Sequence, residues 1–341
     1  MIDAAPRCTA CGIELAPGLH ACPGCRKLVH SERLVALAAE AAVAEREGRL
    51  TEAMASWREA LDLLPAKSNQ RRVVSATVQR LSQSVDRGES AAPAKSGKGA
   101  GKGAVGATGV ALVLWKLKLV FLSLLGKGKL VLSGLASLPT LLSMFAYLAL
   151  DRSRGATFAL GLVLSIYVHE MGHVSALRRF GIQATAPMFV PGLGALVRLK
   201  QYPIDAREDA RVGLAGPVWG CFAAAIALAL GLALHQRTLL GVASIGAMIN
   251  VLNLVPVWQL DGARGFRALD PRQRTILVVL AAGVALALQQ PMGWAVCAVG
   301  GARLKSDLPE QGDRRAFFTF AALLILLSVI PMLCKLGSEG P

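Results

Sequence analysis

Five apolar runs, at about residues 130–150, 155–177, 213–234, 238–258 and 316–334, constrain this chain more than any other feature. A helix needs roughly 20 apolar residues to cross a hydrocarbon core about 30 Å thick, and each run is close to that length or beyond it. Backbone in hydrocarbon must satisfy its own polar groups, so runs of this length read as helices packed in a bundle. A shorter pair, at about 275–288 and 292–302, is broken by Gln289, Gln290 and Pro291 and reads as a hairpin. The expected fold class is therefore mainly α, with a polytopic transmembrane helical bundle over residues 130–341.

Composition agrees with that reading. The chain is 54% apolar and only 17% charged, which is unlike a soluble domain of 341 residues. Its net charge of +15 matches the excess of Lys and Arg that membrane proteins keep on their cytoplasmic side. With 275–302 taken as a hairpin, fourteen basic residues fall on one side of the bundle and four on the other. The first side, and the N-terminal region with it, is thereby assigned to the cytoplasm. The expected partner is a lipid bilayer, with no nucleic acid. An Ala-, Gly- and Arg-rich composition points to a bacterial cytoplasmic (inner) membrane.

The region before the bundle divides into four. Residues 1–30 are polar, without the apolar stretch of a signal peptide, and hold four of the seven cysteines. Cys8-x2-Cys11, ten residues and Cys22-x2-Cys25 form two knuckles, whose four thiolates suit one structural zinc in a ribbon-like module. Cys221, Cys297 and Cys334 lie in apolar stretches and read as small buried hydrophobes. Residues 31–85 read as a helical hairpin, partly similar to the second half of a tetratricopeptide repeat. The similarity rests on Ala53, Trp57, Ala60 and Pro65, with Gly48 at the turn. A cytosolic protein partner would fit this region. Residues 86–109 read as a flexible Gly/Ala/Lys linker. Residues 110–129 read as an interfacial amphipathic helix, whose Lys116, Lys118, Lys127 and Lys129 face lipid head groups.

One run carries chemistry. His169-Glu170-Met171-Gly172-His173 sits inside the 155–177 run, where polar side chains are costly. Positions i and i+4 share a helix face, so both imidazoles can reach one metal ion. Glu170 is beside them as a general base for a water activated by zinc. It is also the only acidic residue between Asp151 and Asp205. At about 1.5 Å per residue, His173 and His169 lie roughly 7 and 13 Å from Arg178 at the cytoplasmic end. A third protein ligand is needed, and the candidates are Glu208, Asp209 and Asp261. Asp261 lies in NLVPVWQLDG, where Pro256 and Gly262 are expected to bend the chain.

HEMGH in one span, Ala215-Gly216-Pro217, and Asn253-x2-Pro256-x4-Asp261-Gly262 together resemble the site-2 protease family of intramembrane zinc metalloproteases. The resemblance covers roughly residues 130–302. It implies that His169, His173 and Asp261 hold a catalytic zinc, that Glu170 is the base, and that Asn253 holds the substrate strand or the oxyanion. It also implies that 186–200 is a membrane-associated β loop and that the substrate is the transmembrane segment of another protein. Loop 178–212 leaves no room for the PDZ domain of better-known members. A catalytically silent scaffold or zinc-handling protein, and another membrane zincin using Glu208, are the alternatives.

Overall fold

The computed structural model describes residues 7–88, 155–183, 188–190, 194–196, 201–258, 260–309 and 311–339. Most of the expected linker, the interfacial helix at 110–129 and the first apolar run at 130–150 lie outside them.

The N-terminal cysteines form a doubled motif. Cys8 N–H donates to the Ile13 carbonyl and Cys22 N–H to that of Lys27, each five residues on. Gly12 and Arg26 both take positive φ and donate back to the Cys8 and Cys22 carbonyls. Bridges Arg7↔Glu14 and Ala21↔Leu28 close the two knuckles in the same way.

Three helices follow: α1 (Ser31–Arg46), α2 (Leu50–Asp62) and α3 (Asn69–Arg87). Gly48, with φ 75°, turns the chain between α1 and α2. Ser68 caps α3 by accepting from Arg71 N–H at 3.1 Å, and Gly88 ends it in the left-handed region. The expected hairpin thus has a third helix packed on it, through a core of Ala44, Ala53, Met54 and Leu81 with Trp57 against them.

The remaining helices are α4 (Gly155–Arg179), α5 (Ala206–Ala233), α6 (Arg237–Asn253), α7 (Asp261–Arg267), α8 (Pro271–Leu288), α9 (Pro291–Ala302) and α10 (Arg314–Glu339). Of these, α4, α5, α8 and α10 are long and apolar enough to cross a membrane, while α6 and α9 are shorter. Between α4 and α5 lies an antiparallel pair, β1 (Met188–Val190) and β2 (Gly194–Leu196), registered Met188↔Leu196. The 275–302 stretch is a hairpin of two helices: Gly293 lies against Ala285, and Gly300 against Val278. The main core joins Leu254, Leu269, Leu277, Phe320 and Leu324. Arg274 is buried beside it, donating to the carbonyls of Leu269, Arg303, Ser306 and Asp307 at the foot of α9.

Polar residues gather at one end of the bundle. There Asp86 of α3 pairs with Arg207, Arg211 and Arg315, and Arg179 donates to the Val85 carbonyl. Burial alone would raise the Asp86 carboxyl, but the Arg211 hydrogen bond and the charges of Arg211, Arg315 and Arg207 hold it below its ordinary value. Toward the opposite end, Leu232 and Leu240 lie against Gly337. The N-terminal helices therefore sit on the arginine-bearing end of α4, α5 and α10.

Candidate metal centre

His169, Glu170 and His173 all lie on α4, and each is at most 8% exposed. The helical spacing brings the two histidine Nε2 atoms to 3.2 Å of each other. Asp261, the first residue of α7, places Oδ2 3.0 Å from His169 Nε2 and Oδ1 3.2 Å from His173 Nε2. The ligand-type atoms of His169, Glu170 and His173 lie within 4.8 Å of one another.

The far side of each ring is held in place. His173 Nδ1 lies 2.8 Å from the Val212 carbonyl of α5, and His169 Nδ1 lies 2.7 Å from Asn250 Oδ1 of α6. A carbonyl or amide oxygen can only accept, so each Nδ1 carries the proton and each Nε2 presents its lone pair to the shared point. Pro217, inside α5, has no N–H to give and loosens the helical ladder next to Val212. Gly216 clears the space itself: a Cβ there would stand 2.3 Å from His173 Nε2 and 2.7 Å from His169 Nε2. The Ala215-Gly216-Pro217 motif thus has a physical purpose beside the imidazoles.

This donor set fits zinc. Bonds of about 2.0–2.1 Å at tetrahedral angles separate donor atoms by roughly 3.3 Å. The two Nε2 atoms here are 3.2 Å apart, and each has a different oxygen of the Asp261 carboxylate at 3.0 or 3.2 Å. Three protein ligands leave one position open, as catalytic zinc requires. The cysteine cluster fits a closed site instead. Cys8 and Cys25 sulfurs are 3.7 Å apart and those of Cys11 and Cys22 are 3.5 Å apart, near the roughly 3.8 Å edge of a zinc–sulfur tetrahedron. The N–H groups of Ala10 and Cys11 lower the Cys8 thiol to about 6. Around Cys11, the Ile13 backbone hydrogen bond pulls its thiol down, but the other sulfurs and burial outweigh it and push the thiol up to about 12.

Asn253 also reaches the centre, with Nδ2 3.5 Å from His169 Nε2. Glu208 does not. It accepts from Arg58 Nη2 at 2.6 Å, Ser82 Oγ at 3.0 Å and Ile204 N–H at 2.7 Å, and is fully buried among them. Asp209 is likewise engaged, by Arg264 and Arg267. The alternative with Glu208 as third ligand is therefore corrected: its carboxylate is consumed by the junction with the N-terminal helices. Gly262 differs too, since it is helical rather than a bend. It is a point of close approach, where a Cβ would meet the Leu254 carbonyl at 2.0 Å.

Asn250 is the residue missed in the sequence. Its signal was a second amide three positions before Asn253 in an apolar helix, which puts both on one face toward α4.

The apolar helices thus bring two imidazoles, a carboxylate and an adjacent glutamate to one buried point. Residues 157–238 match the family model of Peptidase family M50, the site-2 protease family. The matched segment holds HEMGH and Ala215-Gly216-Pro217 and ends before Asn250, Asn253 and Asp261. Searches of curated proteins and of solved structures gave no match.

Proposed function

We propose that this chain is an intramembrane zinc endopeptidase, which hydrolyses a peptide bond in the transmembrane segment of another membrane protein. The observation that carries the reading is the meeting of His169, His173 and Asp261 inside a bundle with spanning helices. The family match supports the membrane metalloprotease part. A bacterial inner membrane, with the N-terminal region in the cytosol, is part of the proposal and rests on the distribution of arginine and lysine.

Zinc held by the two Nε2 atoms and the Asp261 carboxylate would supply Lewis acidity to a scissile carbonyl. Val212 and Asn250 keep the two rings in the tautomer that presents Nε2 inward. Glu170 takes the proton of the attacking water and returns it to the leaving amine. The Asn253 amide donates toward the carbonyl oxygen as negative charge develops there. The β1–β2 pair would hold the unwound substrate by strand addition. Entry of water from the arginine-bearing end is part of the proposal, since His173 lies five residues from Arg178 on α4.

The test is Glu170→Gln against a tagged single-span substrate in reconstituted membranes. Loss of general-base catalysis is expected to cut the rate by about 10²–10⁴ with zinc retained. Cleavage at the original rate would reject this assignment and leave a silent scaffold or zinc-handling role. Identifying the membrane protein that accumulates uncut in cells carrying the variant would name the substrate.

A further inference from the structure

We infer that Asn250 is a positioning residue for the metal centre, setting the tautomer and orientation of His169 through its amide oxygen. The inference rests on the metal reading above and adds a residue to it. His169 Nδ1 and Asn250 Oδ1 are 2.7 Å apart, and Asn250 is only 2% exposed. An amide could turn either end toward the ring. Here Asn250 Nδ2 donates to the Gly246 carbonyl at 2.8 Å, one turn back on α6, which leaves Oδ1 for the histidine. The neighbouring helix enforces the placement: a Cβ at Gly220 of α5 would stand 2.1 Å from Oδ1 and 2.5 Å from Nδ2. The Asn250 amide is thus confined between α5 and α6, with its only acceptor aimed at His169.

The chemistry follows from the imidazole. With Nδ1 protonated and tied to an oxygen, the Nε2 lone pair is free and aimed at Asp261 Oδ2. Without an acceptor the neutral ring can move its proton to Nε2, which cannot then bind metal, and the ring can rotate. His173 has a backbone carbonyl for this task, which no side-chain substitution removes. His169 depends on one side chain.

The experiment measures zinc affinity by chelator competition on the full chain in detergent, with the ribbon's zinc counted separately through Cys8→Ser/Cys11→Ser. Asn250→Leu, similar in size but without an acceptor, should weaken the catalytic zinc by about 10–100-fold. Asn250→Asp, which keeps an acceptor oxygen, should stay within a few-fold of the parent. Gly220→Ala, which displaces the amide without changing it, should weaken zinc in the same direction as Asn250→Leu. It serves as the deciding variant if Asn250→Leu does not fold. Parental zinc affinity in a folded Asn250→Leu or Gly220→Ala chain, or loss in Asn250→Asp equal to that in Asn250→Leu, would overturn the inference. Asp261→Ala separates the two levels. If it too leaves zinc unchanged, the metal reading itself fails; if it alone removes zinc, only the role of Asn250 fails.

Discussion

Arg58 of α2 donates to Glu208 of α5 at 2.6 Å, and both side chains are almost wholly removed from solvent. Arg58 also donates to the Phe180 carbonyl at the end of α4, so one guanidinium joins the N-terminal helices to the helix of the histidines and to its neighbour. Removing one partner of a buried ion pair leaves the other charged and unsatisfied, which costs about 3–5 kcal/mol. Arg58→Ala is therefore expected to loosen the N-terminal unit. Limited proteolysis should cut between α3 and α4 faster, and the thermal midpoint in detergent should fall. A double variant, Arg58→Met/Glu208→Leu, should recover part of the loss, because no buried charge remains. Equal loss in the single and double variants would show that packing, not charge, holds the junction.

This junction also marks where sequence reasoning stops. The histidine face of α4 was legible because i and i+4 spacing is local, and Asp261 was legible through its motif. Glu208 was ambiguous, a carboxylate near a membrane boundary whose partner Arg58 lies 150 residues away. Only the folded chain shows which acidic group is spent on a structural pair and which is turned to the two imidazoles. The third helix of the N-terminal unit was not told apart within the 31–85 hairpin, since its buried positions are few: Val78, Leu81 and Ser82. Gly216 stood out only as part of the Ala215-Gly216-Pro217 motif and Gly220 not at all, because the clearance that each gives, one beside the imidazoles and one beside Asn250, exists only once α5 packs on α4 and α6.

Zinc content gives a second prediction. The fit of both donor sets leads to two zinc ions per chain, and Cys8→Ser/Cys11→Ser should leave one. His169→Ala should also leave one, in the ribbon. Elemental analysis of the purified chain checks this, and a count unaffected by either variant would reject the assignment of ions to these clusters.

Proton release on metal uptake gives a third. Cys8, with its thiol at about 6, is already mostly thiolate at pH 7, whereas Cys11, at about 12, is protonated. Binding one zinc to the stripped ribbon at pH 7, in an Asp261→Ala background, should therefore release fewer than four protons. Release should rise as the pH falls through about 6, where Cys8 regains its proton and must lose it on binding. Calorimetry in two buffers of different ionisation enthalpy measures the number. Four protons at pH 7 would mean that the Ala10 and Cys11 amides do not stabilise the Cys8 thiolate.

The last prediction concerns the space beside the histidines. Gly216 faces both Nε2 atoms so closely that any side chain must displace an imidazole or α5 itself. A methyl group added at Gly283 on α8 would meet nothing within 4 Å among the described residues. Gly216→Ala is therefore expected to remove most of the catalytic zinc and to lower cleavage by at least about tenfold, on the scale of displaced metal-site neighbours. Gly283→Ala should keep both, and should gain up to about 1 kcal/mol from the better helix propensity of alanine. Zinc content and thermal unfolding of the two variants, measured side by side, separate an effect on the centre from a general effect of adding a methyl group to a membrane helix. If Gly216→Ala keeps full zinc and activity, α5 does not approach α4 as closely as this structure places it, and the metal point lies farther from Ala215-Gly216-Pro217.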